Sequence, residues 1–326
     1  MSRYDQMKYV RCGNSGLLLP RMALGCWYSF AEFDSPENMS ALLHQAFDLG
    51  INYFDLANNY GPQNGAAETN VGRILKSEFA GYRDELLIAT KAGHQMWDGP
   101  YGDGGSRKYM LSSLDASLKR LQLDYVDIFY HHRYDPNTPI EETMFALKQA
   151  VDSGKTLYAG ISKYPLDKAK EAIEIAKRID LPLIVGQFKY SLLAQDFADS
   201  GVKKLINDEG LGSVVFSSLA QGLLTDKYLG GIPADSRMAK DNRFLKRETL
   251  SEELVIVLRQ LNEIAASRSQ SLAQMSLSWV LHQGANTLII GASKTQQIID
   301  NVRALDNLDF TNDELDRIHS LFATLD

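Results

Sequence analysis

The sequence predicts an α/β fold: a (β/α)8 TIM-type barrel with an N-terminal β-hairpin, a long loop after the seventh strand and a C-terminal helix. Short apolar runs alternate with helical patterns along the chain, which implies βαβ units and a parallel sheet. Eight such units close naturally into a barrel. No Gly-x-Gly-x-x-Gly follows the first run, which weighs against a doubly wound open sheet.

The elements follow in order. Lys8–Val10 and Leu17–Leu19 flank Asn14-Ser15-Gly16 and read as a β-hairpin placed to plug the bottom of the barrel. Strands are expected at Arg21–Gly25, Tyr53–Asp55, Leu86–Lys91, Tyr125–Tyr130, Leu157–Ser162, Leu183–Gln187, Ser213–Ser217 and Thr287–Ile290. Each is short enough to be a parallel strand buried on both faces. A helix from about Glu37 carries Ala41, Leu42, Gln45, Ala46 and Leu49 at helical spacing, and Gly50 provides its C-cap. Further helices are expected over Tyr109–Leu121, Ile140–Ser153 with Gly154 as the stop, Leu166–Arg178 and Glu252–Arg268. The stretch Gly222–Leu250 is a long insertion after the seventh strand, a kind of loop that usually carries function. Thr311–Leu325 reads as an amphipathic helix, with Thr311 and Glu314 forming a capping box.

Bulk properties narrow the class. A chain of 326 residues accommodates one barrel of about 250 residues with loops and end pieces. The net charge is 34 − 41 = −7, which argues against a general affinity for nucleic acid. Cys12 and Cys26 are too few for a disulfide framework or a zinc site. No carboxylate and histidine cluster has metal-ligand spacing, so no metal is expected. The start, Met1-Ser2-Arg3-Tyr4-Asp5-Gln6, shows no apolar segment of a signal peptide. No stretch reaches the length of a membrane span. The expectation is a reduced, cytoplasmic protein with no nucleic acid or membrane partner; assembly into a homo-oligomer stays open.

Chemistry enters where the apolar runs end. Asp55 closes the second run, and Tyr60 follows in the same loop; Lys91 closes the third and His132 follows the fourth. In an α/β barrel, polar residues at the C-terminal strand ends converge on the active site. Tyr60 is the natural proton donor. A phenol has a pKa of about 10, and a nearby ammonium such as Lys91 lowers it by favouring the phenolate. Asp55 can orient Lys91, and His132 can hydrogen-bond a substrate carbonyl and share in the proton transfer. None of the four is a nucleophile with an activating base, so hydrolysis fits poorly. Each has a simpler account: packing tyrosine, surface lysine, helix-capping aspartate. Together at successive strand ends they favour carbonyl reduction. Trp27, Tyr28, Trp97 and Tyr101 lie in loops at the same end and suggest apolar walls.

These residues stand in motifs that resemble the aldo-keto reductase superfamily. They are Phe54-Asp55-Leu56-Ala57-Asn58-Asn59-Tyr60-Gly61, Ala89-Thr90-Lys91, Tyr125-Val126-Asp127 with His132 downstream, Gly160-Ile161-Ser162 and Ile290-Gly291-Ala292-Ser293. The resemblance runs from the hairpin to the last helix. It implies a single barrel domain over 1–326, a small-molecule carbonyl substrate, and Asp55, Tyr60, Lys91 and His132 as catalytic residues. The family pattern takes the second histidine of the pair, hence His132 rather than His131.

The implied cofactor is NADPH/NADP+. Ser162 and Gln187 would meet the nicotinamide carboxamide and Phe216 its ring. Trp27 and Asp55 would border it. Ser217, Leu219, Gln221 and Gly222 would line the pyrophosphate path. Lys227 and Arg237 would close over the pyrophosphate and the 2′-phosphate, and Gly291, Ser293, Gln297 and Asn301 would complete the site around the helix after the eighth strand. Two positions depart from the pattern: Lys163 stands where asparagine or serine is common, and Ser293 where arginine is common.

Within the superfamily the chain is similar to two groups. Bacterial L-glyceraldehyde 3-phosphate reductases share Lys91-Ala92-Gly93, Gly99-Pro100-Tyr101-Gly102 and Leu219-Ala220-Gln221-Gly222-Leu223-Leu224-Thr225. Potassium-channel β subunits share Asp135-Pro136-Asn137-Thr138-Pro139-Ile140-Glu141-Glu142-Thr143, but carry asparagine where this chain has His132. The first group implies reduction of small polar or phosphorylated aldehydes, such as L-glyceraldehyde 3-phosphate and methylglyoxal. Trp27, Tyr60, His132 and Arg133 would face that substrate, and Arg133 could pair with its phosphate or with a loop acid such as Asp135. The alternative is a cofactor-sensing regulatory subunit.

Overall fold

The structure is a computed structural model and describes residues 2–61, 63–232 and 249–322. Its contacts divide into two units. One comprises Met1–Lys189, Asp196–Phe216 and Asn286–Ile299, and the other Tyr190–Gln195, Ser217–Ala285 and Asp300–Asp326.

The first unit contains a hairpin, β1 (Tyr9–Arg11) and β2 (Leu18–Pro20), paired antiparallel. Eight strands follow: β3 (Met22–Gly25), β4 (Tyr53–Asp55), β5 (Leu87–Ala92), β6 (Val126–His131), β7 (Thr156–Ser162), β8 (Leu183–Lys189), β9 (Gly212–Phe216) and β10 (Thr287–Ile290). They close into a barrel in the order β10-β3-β4-β5-β6-β7-β8-β9, and the pairings are parallel throughout. The expected (β/α)8 barrel is therefore present, each strand within two residues of its expected bounds. The hairpin strands lie one residue later than expected.

Helices cover Pro36–Asp48, Ala66–Glu78, Arg107–Leu121, Ile140–Asp152 and Leu166–Arg178 in this unit. The first is capped by the Ser35 side chain and carries Pro36 in its first turn, where a missing N–H costs nothing. Gly50 follows it at φ 79°, the left-handed conformation that ends a helix.

Side chains alternate across a strand, so residues two apart share the barrel interior. The interior core contains Ala23, Tyr53, Leu87, Ala89, Ile128, Tyr130, Val185 and Val214, joined from the hairpin by Cys12 and Leu19. The hairpin thus packs its apolar face onto the N-terminal, or lower, strand ends, as its sequence implied. A Cβ on Gly160 would lie 2.3 Å from the Tyr130 ring, so only glycine leaves room for that ring in the interior. The Tyr53 and Tyr130 hydroxyls satisfy each other at 3.0 Å.

The second unit holds helices Glu252–Ser267, Leu272–His282 and Asn312–Phe322. The expected capping box is formed: Thr311 N–H donates to Glu314 at 2.7 Å and Glu314 N–H to the Thr311 hydroxyl at 3.3 Å. Glu314 also pairs with the buried Arg268 at 2.9 Å. Among the described residues no helix is long and apolar enough to cross a membrane, and no group of three or more histidine, cysteine or acidic residues could hold a metal.

Candidate active site

The C-terminal ends of β4, β5 and β6 bring the four expected residues together. Asp55 is the last residue of β4, one alternation above Tyr53, and Lys91 lies one alternation above Ala89 on β5. His132 follows β6, but its N–H still donates to Ala92 O at 2.8 Å. Strand pairing thus continues past the strand and aims His132 inward, after Ile128 and Tyr130. Asn58 N–H donates to Lys91 O at 2.9 Å in the same manner and brings the loop carrying Tyr60 back over the barrel.

Lys91 is fully buried. Its ammonium donates to Asp55 at 2.6 Å, to Leu56 O at 2.6 Å and to the Tyr60 hydroxyl at 3.5 Å. Three donors meet three acceptors, which is what keeps a charge stable away from water. Asp55 accepts at its other oxygen from Gln187 at 2.9 Å. The Tyr60 ring is 5.8 Å from that of His132 and 6.1 Å from that of Trp27, centroid to centroid.

The electrostatics follow from burial. Loss of hydration disfavours the Lys91 ammonium, but Asp55 and Tyr60 outweigh it and hold its pKa above the ordinary value. The expectation that Lys91 lowers the pKa of Tyr60 holds for that interaction alone. Burial of the hydroxyl is the larger effect, and the net shift is upward. Tyr60 is therefore a protonated phenol at neutral pH. His132 is pushed well below the usual histidine range by burial and by the positive charges of Lys91 and Lys163. It is a neutral imidazole, and its Nδ1 is buried without a hydrogen-bond partner among the described residues.

The neighbouring His131 points the other way. Its Nδ1 lies 2.6 Å from the Tyr164 hydroxyl, and a Cβ on Gly105 would meet its Nε2 at 2.9 Å. Adjacent residues on a strand face opposite sides, so only one of the two can reach the pocket.

Other expected residues are placed as follows. Ser162, at the end of β7, is fully buried and its hydroxyl has no partner among the described residues. Phe216 ends β9, and Gly291 follows β10 with open space where a Cβ would stand. Ser293 N–H donates to the Gln297 side chain at 2.8 Å. In the second unit, Ser217, Leu219, Gln221 and Gly222 form one tight turn. Ala220 N–H donates to Ser217 O at 2.7 Å and Gly222 N–H to Leu219 O at 2.8 Å. Ser217, Ala220 and Gln221 have φ of 58°, 46° and 59°, a left-handed conformation costly for such residues. Lys227 is exposed and Asn301 buried in that unit. Arg237 lies outside the described residues. Arg133 is engaged with a loop acid: its guanidinium reaches both Asp103 oxygens at 2.9 Å. Of the loop aromatics, Trp27 meets Tyr28 and Tyr60, whereas Trp97 and Tyr101 are largely exposed.

Sequence reasoning missed His94, whose ring meets His132 edge-on with centroids 4.5 Å apart. It also passed over Tyr109, which is buried, donates to His94 O at 2.5 Å and accepts from Asn58 at 3.1 Å. The signal for His94 was its place three residues past Lys91 at a strand end; Tyr109 stood in the sequence as the start of the helix expected over Tyr109–Leu121 and as the end of Gly105-Ser106-Arg107-Lys108-Tyr109, a stretch similar to the bacterial reductases, with no role attached.

The model of the Aldo/keto reductase family matches residues 21–323. The chain is 52% identical to the L-glyceraldehyde 3-phosphate reductase of Escherichia coli K12, over 98% of this chain and 94% of that protein. It is 36% identical to a probable voltage-gated potassium channel subunit beta of Oryza sativa subsp. japonica, over 97% and 96%. The solved holo form of an aldo-keto reductase from Bacillus halodurans superposes with a TM-score of 0.77 at 26% identity, covering 97% of this chain and 96% of that one. A strand-end set that can protonate a carbonyl oxygen thus coincides with a family match over nearly the whole chain: the protein belongs to the aldo/keto reductase family and is an oxidoreductase.

Proposed function

We propose that this chain, working as one reductase domain over 1–326, reduces small polar or phosphorylated aldehydes with NADPH. The observation that carries the reading is the buried line Asp55–Lys91–Tyr60 with a neutral His132 beside it. The residues fit the nicotinamide group: Ser162 presents a buried hydroxyl without a partner to a carboxamide, beside Gln187. The turn Ser217–Gly222 joins left-handed residues, Ser217 and then Ala220, Gln221 and Gly222, through Leu219 at φ −99°, and tight turns of this kind can gather N–H groups around an anion such as pyrophosphate. The bound cofactor supplies the hydride that reaches the carbonyl carbon.

The protein's own part is proton chemistry and orientation. The Tyr60 hydroxyl gives its proton to the carbonyl oxygen as that oxygen gains charge. Lys91, already positive, stabilises the resulting phenolate, and Asp55 holds Lys91 in place. The neutral His132 donates a hydrogen bond to the same oxygen and orients it. Solvent returns the proton to Tyr60.

The substrate class draws on the Escherichia coli relative, named for L-glyceraldehyde 3-phosphate. The preference for NADPH draws on Lys227 and Arg237. A second reading, a cofactor-sensing regulatory subunit, draws on the potassium-channel relative. His132 at the reacting oxygen favours turnover. Steady-state assays of L-glyceraldehyde 3-phosphate, glyceraldehyde and methylglyoxal with NADPH and with NADH test both. Aldehyde-dependent NADPH oxidation is expected; cofactor binding without turnover on any aldehyde would favour the regulatory reading.

A further inference from the structure

Beside the catalytic set lies a positive group without an acid. Lys163 ends the β7 side of the site, immediately after Ser162. Its backbone has φ 55°, a conformation that suits asparagine or glycine and is uncommon for lysine. Its N–H donates to Gln187 O at 3.1 Å, so the strand ladder holds that conformation in place. Strand alternation would turn residue 163 away from Ser162's face. The left-handed turn instead swings the side chain to the loop after β5, where its ammonium lies 3.0 Å from His94 Nε2.

The partners there are nitrogen, not oxygen. Among the described residues Lys163 forms no ion pair with a carboxylate. Asp55 is taken by Lys91 and Gln187, and Asp103 by Arg133. Desolvation, followed by the charges of Lys91 and Arg133, lowers the Lys163 ammonium to about 8. Desolvation, followed by Lys163 and Arg133, lowers His94 to about 4, so His94 is neutral and can accept from Lys163. Its own position is fixed by Tyr109 and its ring lies against His132. A cation held by a neutral base, facing other cations and lacking a carboxylate, suits an incoming anion.

We propose that Lys163, steadied by His94, binds an anionic group of the aldehyde substrate, a carboxylate or a phosphate, and so selects anionic over neutral aldehydes. This rests on the reading of Tyr60 and His132 as the residues at the carbonyl oxygen. The edge-on contact of His94 with His132 sets the reach: carbonyl and anion are separated by a few bonds, as in a short aldehyde. Arg133, tied to Asp103, plays the lesser part. Energy gained at the remote anion orients the reacting carbonyl.

The test measures kcat/KM with saturating NADPH for two matched pairs, L-glyceraldehyde 3-phosphate against L-glyceraldehyde and succinic semialdehyde against butanal. Wild type should favour the anionic member of at least one pair by about tenfold or more. The responding pair identifies phosphate or carboxylate as the group recognised. Lys163→Met should remove most of that preference through KM, and Lys163→Arg should restore part of it. Arg133→Ala should reduce it less than Lys163→Met. Calorimetric titration with glycerol 3-phosphate and with succinate reads the site without turnover: wild type should bind one of them, and Lys163→Met should bind it about tenfold more weakly. Wild type without a preference in either pair would overturn the proposal, as would a Lys163→Met variant that weakens both members of a pair equally. If no aldehyde is reduced, the reductase reading fails, and the titration alone decides whether Lys163 is an anion site.

Discussion

The two ends of the barrel are built from the same strands and behave as opposites. Toward the lower end the inward residues are Tyr53, Ala89, Ile128, Tyr130 and Val185, closed off by Cys12 and Leu19 of the hairpin. One alternation higher they are Asp55, Lys91, His132 and Gln187. A fully buried apolar side chain stabilises the fold by roughly 1.5–3 kcal/mol, whereas a buried ion pair costs several kcal/mol of desolvation per ion, offset only by good geometry. The lower end therefore carries stability, and in the proposed function the upper end carries the chemistry. The upper end survives burial because each of its charges has a full set of partners. Substitutions should separate the two ends, stability responding below and turnover above, unless they leave a charge stranded.

Lys91→Met strands one. Asp55 would keep only Gln187 as a partner, and breaking one side of a buried pair costs about 3–5 kcal/mol. Chemical denaturation should show that loss. In whatever folds, Tyr60 loses its counter-charge, so the alkaline limb of the pH–rate profile should move further up. An unchanged profile would make Lys91 purely structural.

Leu19→Ala should cost about 2–5 kcal/mol by opening a cavity under the barrel. Its kcat/KM should stay close to that of wild type, because Leu19 lies at the opposite end from Tyr60. A large loss of turnover without a loss of stability would end the division between the two ends.

Acid should act on the histidines of the upper end. His131 is lowered to about 3, by burial before all else, and His132 is pushed well below the usual value of 6.5, again by burial first. As pH falls through about 6.5 the unfolded chain takes up these protons and the folded chain does not. Stability contributed by the two neutral rings is thus full above about 6.5 and lost below it, by about 1.4 kcal/mol per pH unit for each. His94, lowered to about 4, adds to them over the same range. Unfolding midpoints measured from pH 7.5 to 5 should fall, and the fall should shrink by about a third in His131→Asn. Midpoints flat across that range would mean that the rings are not held neutral.

The barrel was legible because burial on both faces leaves short, nearly continuous apolar runs; β4 and β10 have the expected bounds. Leu272–His282 was not, because its residues from Met275 to Leu281 are all buried and show no polar face to mark a helical period. Ala66–Glu78 was missed for a related reason. It buries Glu68, which bonds Thr90 and Arg120 and so reads as a surface residue in sequence. At the site, strand ends located Asp55, Lys91 and His132, and alternation explains why His131 is excluded. Local sequence does not reveal which partner an arginine takes. Arg133 was weighed for a substrate phosphate, and Asp103, thirty residues earlier, holds it. Nor does it reveal how a left-handed residue re-aims its side chain, which is why Lys163 registered only as a departure from a pattern.

In the proposed mechanism, proton delivery belongs to one hydroxyl at the upper end. Tyr60→Phe removes that hydroxyl and nothing from the lower core. Its turnover of a reducible aldehyde should be measured beside NADPH fluorescence titration and thermal unfolding. Turnover should drop by about 10²–10⁴-fold, the usual worth of a positioned general acid, while cofactor affinity and unfolding temperature stay close to wild type. Turnover retained at about a tenth of wild type or more, well outside that range, would contradict proton delivery by Tyr60.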